Sequence, residues 1–206
     1  EDANENEIKF FEYKQISLLD YVQLVLAGVV NTNIKTQRPD VNKLDKKQGI
    51  VGTILKGNAL PCLCLCVKIE DINGYSPAIS VWKETKVTIL VNDGGHRTRT
   101  FLEFLFDRFR THKDTCFLNS NGIRVNIGNK TFSEIKKEHP DIAKRFHTTL
   151  LKMDVYHHIS PLEMTEEFRD RNKSSDTNHQ EGDLNSQNLN VVAEFIRNII
   201  RIVEGE

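Results

Sequence analysis

Residues 87–110 carry the tightest local constraint on what this chain can fold into. Val87-Thr88-Ile89-Leu90-Val91 is rich in β-branched side chains and predicts a strand. Asn92-Asp93-Gly94-Gly95 follows at once and predicts a tight turn. Beyond it, Phe101, Leu102, Leu105, Phe106 and Phe109 fall on one helical face. The segment therefore reads strand, Gly-Gly turn, helix, with the polar run Asp93-Gly94-Gly95-His96-Arg97 at the corner.

The rest of the chain interleaves helices and short strands. Ser17-Leu18-Leu19-Asp20 opens a helix from about 18 to 28, and Leu44, Ile50, Val51, Ile54 and Leu55 mark another from about 44 to 56, stopped by Gly57-Asn58. Between them, residues 30–37 read as extended up to Pro39 and carry Thr36-Gln37-Arg38 outward. A strand is expected at Leu60–Val67, an exposed hairpin or insertion over 70–86, and a strand at 123–127. Short helices at 133–137 and 141–148 precede a strand near 150–158. Ser160-Pro161-Leu162-Glu163 starts a helix reaching about Arg171. A polar loop at 173–185 then leads to an amphipathic helix over 186–203. No regular βαβ alternation is present, so the expected class is α+β. The expected organisation is an acidic segment at 1–15, one domain at 16–172, the polar loop, and a C-terminal helical part at 186–206.

A chain of 206 residues suits one core of ordinary size. Lys and Arg total 28 against 29 Asp and Glu, so the net charge of −1 argues against a globally basic nucleic-acid binder. No apolar run approaches the roughly 18 residues that span a bilayer, and the expectation is a cytoplasmic protein with no membrane partner. Cys62, Cys64 and Cys66 alternate on one predicted strand, where neighbours on a face stand about 6.8 Å apart. Thiolates sharing one zinc sit within about 4 Å of each other, so small buried side chains are the reading of choice.

Chemistry concentrates at the Gly-Gly corner. Two glycines let backbone N–H groups approach an anion, the helix start adds a positive dipole end, and Arg97 can fork two hydrogen bonds onto phosphate. Asp93 can bind Mg²⁺, orient Arg97 or cap the turn, and the residues leave these three open.

Asp93-Gly94-Gly95-His96-Arg97, with Thr98-Arg99-Thr100-Phe101 behind it, resembles the Asp-Gly-Gln-Gln-Arg signature of the N-terminal domain of GmrSD-like modification-dependent restriction enzymes. That family is a relative of the ParB/sulfiredoxin-like fold. Other landmarks keep the same order: Thr36-Gln37-Arg38-Pro39, Ile54 to Pro61, the Phe-x-x-x-Asn spacing of Phe168 and Asn172, and Thr177 to Glu181. Gly95 and His96 replace both glutamines of the signature. Gly95 also stands where sulfiredoxin has its reactive cysteine, so sulfiredoxin chemistry is not expected.

The resemblance implies a small mixed sheet with surrounding helices and a site for a nucleoside triphosphate with Mg²⁺. Gly94, Gly95 and Arg97 would hold the phosphates, Gln37, Arg38 and Asn172 would reach the same pocket, and Asp93 and His96 are the catalytic candidates, with Asp93 also the metal ligand. A nuclease domain or subunit is the further partner it implies.

Two alternatives come from the residues themselves. His157-His158, Asn172 and His179 have the order of an HNH metal-dependent nuclease, although the helix expected from Ser160 stands where that motif has a β-hairpin. A ParB-like DNA-binding module without catalysis is the other. Lys35, Arg38, Lys43, Lys46 and Lys47 stand against Asp40 and Asp45, and Arg97, Arg99, Arg108, Arg110 and Lys113 against Glu103 and Asp107.

Overall fold

A computed structural model describes residues 10–32, 43–68, 75–84, 87–119 and 121–172. The strands are β1 (Phe10–Ser17), β2 (Val30–Asn31), β3 (Leu63–Lys68), β4 (Ile89–Asp93), β5 (Cys116–Leu118), β6 (Arg124–Asn126) and β7 (Leu150–Ile159). The helices are α1 (Leu18–Leu26), α2 (Leu44–Leu55), α3 (Gly95–Leu105), α4 (Phe132–Glu138), α5 (Pro140–Thr148) and α6 (Pro161–Asn172). Five strands form one mixed sheet in the order β1-β7-β3-β4-β2, and β5 and β6 form a separate antiparallel hairpin. Within the large sheet β1/β7 and β3/β4 are antiparallel, whereas β7/β3 and β4/β2 are parallel. The class is α+β, as the interleaved pattern indicates.

Local signals place the helices. Ser17 caps α1 by accepting from the Asp20 N–H at 3.1 Å, and Gly57 takes a left-handed φ of 80° just after α2. Thr131 and Glu134 form a reciprocal capping box on α4. On α6 the Ser160 N–H donates to Glu163 Oε2 at 2.7 Å while the Glu163 N–H returns to Ser160 Oγ.

One face of the sheet is the main core. Leu63, Leu65 and Val67 of β3, Ile89 and Val91 of β4, and Leu151, Met153 and Val155 of β7 are buried there, with Leu24, Ile54, Phe101, Phe104 and Phe146 of the helices in the same cluster. The opposite face carries Cys64 and Cys66, packed with Leu90, Tyr156, Ile159 and the Met164 of α6. Because both faces of β3 are covered, it reads as an unbroken apolar run. Cys64 and Cys66 are buried and form no disulfide, in line with the small-side-chain reading.

Three expectations need correction. Residues 10–15 are not part of an acidic lead-in but the first strand, paired with β7 along its whole length. Its alternation is inverted relative to the sheet. Exposed Phe11 and Tyr13 share one face, while Glu12 and Lys14 sit on the core side, where they pair with each other at 2.7 Å. The segment expected as an exposed insertion buries Trp82 completely, its indole N–H donating to Ser76 O at 2.9 Å. Helix α3 ends at Leu105 rather than near Phe109, because Asp107 turns left-handed at φ 58°. Phe106 is thereby turned outward, and Phe109 folds back onto Phe104 at 5.4 Å between ring centroids. The polar loop and the amphipathic helix expected at 173–185 and 186–203 lie outside the described residues. Among the described residues no helix is long and apolar enough to cross a membrane.

Several folded-state ionisations set the pH response. Burial opposes the charged forms of Glu12 and Asp107, but hydrogen bonds from Lys14 and His157 to the first and from Ser133 to the second outweigh it and hold both carboxyls below their ordinary values. Burial and the nearby Lys136 likewise depress the His147 imidazole. A group whose pKa is lowered on folding stabilises above its unfolded value and loses that contribution as pH falls through the folded one. Thermal melts should therefore show a plateau near neutrality, a first decline below about pH 6.5 from His147, and a steeper one below about pH 4.5 from the carboxyls. A melting temperature that rises on acidification would contradict these assignments.

Candidate functional site

Strand β4 delivers the predicted corner. Its β-branched stretch pairs with β3 on one side and β2 on the other, and the register with β3 slips between Cys64 and Leu65. Asn92, expected in the turn, lies inside the strand and is fully buried. Its Nδ2 donates to Met164 O of α6 at 2.8 Å, and its Oδ1 meets no donor among the described residues.

Gly94 makes the turn. At φ 101° it occupies the left-handed region as the N-cap of α3, with no side chain capping that end. A Cβ here would overlap Leu63 Cδ2, so glycine is required by conformation and by space. The first helical bond runs from the Thr98 N–H to Gly94 O at 2.9 Å. Thr98 Oγ1 also donates to Gly94 O at 3.0 Å and meets the buried Tyr21 hydroxyl at 2.9 Å, and burial pushes that phenol well above its ordinary pKa. The turn is thus fastened from beneath, while the first-turn N–H groups of α3 have no intrahelical acceptor.

Arg97 is turned inward. Its Nη2 pairs with Asp93 Oδ2 at 3.0 Å and donates to Cys62 O at 3.2 Å, and its Nη1 donates to Pro61 O. The guanidinium ties the start of α3 to the segment entering β3, and of the three roles open for Asp93 the geometry displays the one that orients Arg97. The Asp93 side chain is still about one-third exposed, at 34%. Arg99 Nη2 lies 3.2 Å from His96 Nδ1. A guanidinium can only donate, so Nδ1 is the acceptor and the ring proton sits on Nε2.

The remaining site residues fall as follows. Gly95 begins α3 and is buried. Gln37 and Arg38 lie outside the described residues. Asn172 is the last residue of α6. The chain matches no family model, no curated protein and no solved structure.

The HNH constellation is not assembled among the described residues. His157 is buried, its Nε2 3.0 Å from Glu12 Oε2 and its ring centroid 4.4 Å from that of Tyr75 at a tilt of 49°, and helix α6 follows rather than a hairpin. His179 lies outside the described residues. Among those described, no group of three or more His, Cys, Asp or Glu side chains is placed to hold a metal ion. Several cations of the basic segments serve internal contacts: Lys47 with Glu103 at 2.8 Å, Arg110 with Glu134 at 2.8 Å, and Arg97 as described.

One polar cluster escaped the sequence reading. Under α6, Arg171 joins Asp154 at 2.8 Å, Glu167 at 3.0 Å and the Tyr156 hydroxyl at 3.1 Å, and that hydroxyl donates to Glu167 at 2.6 Å. Burial and the bond to Glu167 push the Tyr156 phenol up to about 12. The spacing of Glu167 and Arg171 at i, i+4 was the one signal of this clamp available in the sequence.

Proposed function

We propose that the chain binds a nucleoside triphosphate with Mg²⁺ at the Asp93–Arg97 corner and hydrolyses it slowly, within a ParB/sulfiredoxin-like fold and as part of a GmrSD-like DNA-processing system. The observation that carries this reading is the left-handed Gly94, which opens the N-terminus of an eleven-residue helix without a side-chain cap beside a partly exposed carboxylate. Phosphate oxygens would accept from the first-turn N–H groups and meet the positive end of the helix dipole. His96, with its proton on Nε2, would donate to the same anion. Asp93 would hold Mg²⁺, which supplies charge neutralisation on the phosphates, and no side chain at the corner is arranged as a strong general base, so turnover should be slow.

Calorimetry with Mg·ATP, Mg·GTP and inorganic tripolyphosphate tests the reading directly. At least one nucleoside triphosphate should bind more tightly than its diphosphate, and tripolyphosphate should compete with it. Absence of binding for all of them at millimolar concentration would overturn the assignment.

A further inference from the structure

Charge is unevenly placed along this chain. Residues 108–148 hold nine Lys and Arg against four Asp and Glu, while the rest of the sequence holds nineteen against twenty-five. Most acids of the basic region are already engaged inside it. Glu134 takes both ends of the Arg110 guanidinium at 2.8 and 3.1 Å, Glu138 takes Lys130 at 2.6 Å, and Asp114 lies 3.6 Å from His112. Asp141, in the first turn of α5, is exposed and closes no ion pair among the described residues.

The cations left over stand on two helices that pack together. Phe132 and Ile135 turn one side of α4 into the core, and Ile142, Ala143 and Phe146 do the same for α5. Helical spacing then sets Lys136 and Lys137 on the outer side of α4 and Lys144 and Arg145 on that of α5, and all four are exposed. The two outer sides adjoin. The His147 ring of α5 lies 5.1 Å from the Phe132 ring of α4, and its imidazole is depressed by burial and by the nearby Lys136 charge. Arg145 is held over the Phe117 ring of β5 at 4.8 Å. None of the four has an acidic partner among the described residues.

The side chains around this strip narrow its partner. The phenyl rings of α4, α5 and β5 are Phe132, Phe146 and Phe117, and all three are buried, so no base of a single strand can stack on them. No large hydrophobic side chain of α4 or α5 is exposed, which leaves neither an apolar face to enter a membrane nor an anchor for a protein partner. Exposed cations without acidic partners suit the phosphate backbone of a duplex, where binding is driven by release of condensed counterions.

We propose that the outer sides of α4 and α5 dock the backbone of double-stranded DNA through Lys136, Lys137, Lys144 and Arg145. The choice of DNA rests on the DNA-processing reading above, whereas the surface uses no residue of the Asp93–Arg97 corner.

Fluorescence anisotropy with a labelled short duplex over a salt series tests it. Four phosphate contacts give a slope of about −3.6 in log affinity against log salt, so raising salt from about 50 to about 200 mM should weaken wild type about 150-fold. In Lys137→Ala/Lys144→Ala the slope should fall to about −1.8 and the same change in salt should cost about 12-fold. The matched glutamine pair keeps the side-chain stems and should behave alike. Lys56→Ala/Lys83→Ala removes two exposed cations from other elements and should follow wild type. No duplex binding at low salt, an unchanged slope in the Lys137/Lys144 variants, or an equal fall in the Lys56/Lys83 control overturns the surface. Tighter binding to the single strand, or binding to phosphatidylserine vesicles and not to DNA, overturns the choice of duplex DNA. Calorimetry with Mg·triphosphate on the same variants should match wild type, and absence of triphosphate binding by wild type would overturn the reading of the corner while leaving this surface standing.

Discussion

Gly94→Ala is expected to lower the melting temperature by on the order of 10 °C and to abolish triphosphate binding. Two separable effects add. An L-residue held in the left-handed region costs about 1–2 kcal/mol. The new methyl also overlaps the end of Leu63, which is itself in the core at 2% exposure, and forcing a packed core side chain aside costs about 1–3 kcal/mol. A loss of about 2–5 kcal/mol is large against the total stability of a domain. Because the overlap is with one side chain, the substitution should be milder on a Leu63→Ala background, and thermal melts of the four proteins of that cycle isolate the coupling. Additive losses would mean that the methyl finds room without moving Leu63, and that backbone strain alone is at work.

Most helices of this chain were legible because they depend on local chemistry. Ser17 with Asp20, Gly57, Thr131 with Glu134 and Ser160 with Pro161 and Glu163 are signals that act within one turn, and the structure uses each. Strand β1 was not legible, because its meaning depends on a partner strand that begins only at Leu150. Phe11 and Tyr13 look like core residues by type, yet they face outward, and Glu12 is kept on the core side by Lys14 and His157. Trp82 is illegible for a similar reason, being followed in sequence by the polar run Lys83-Glu84-Thr85-Lys86 while it belongs in space to the core cluster.

At the candidate site the backbone was easier to anticipate than the side chains. Two glycines between a strand and an amphipathic helix specify a turn, and Gly94 takes the conformation that only glycine adopts cheaply. The direction of Arg97 was not specified, since a guanidinium forks equally well onto phosphate, carboxylate or two carbonyls. Here the carbonyls of Pro61 and Cys62 lie within reach and take it. By type Asn92 favours a turn, but α6 supplies a carbonyl for its amide and draws it into the strand.

Asp93→Ala is the most discriminating substitution for the chemistry, because it removes the carboxylate proposed to hold Mg²⁺ while leaving the helix start in place. Arg97 keeps its two carbonyl partners, so the turn should persist, and a partly exposed ion pair contributes at most about 1 kcal/mol. Without an anchored divalent ion the charge developing on the phosphates is no longer neutralised, and phosphate release should fall by about a hundredfold or more. Binding of triphosphate in the absence of Mg²⁺ should move the other way or not at all, since a negative charge beside the anion is gone and one Arg97 nitrogen loses its carboxylate partner. Asp93→Asn separates charge from shape: it can still accept from Arg97 but holds a cation poorly, so its turnover should follow Asp93→Ala and its melting temperature should follow wild type. Phosphate release measured beside calorimetry with and without Mg²⁺ decides the matter. Equal losses of turnover and of Mg²⁺-free binding in Asp93→Ala would mean that the aspartate shapes the turn by holding Arg97, and the metal would then have to be sought on another element.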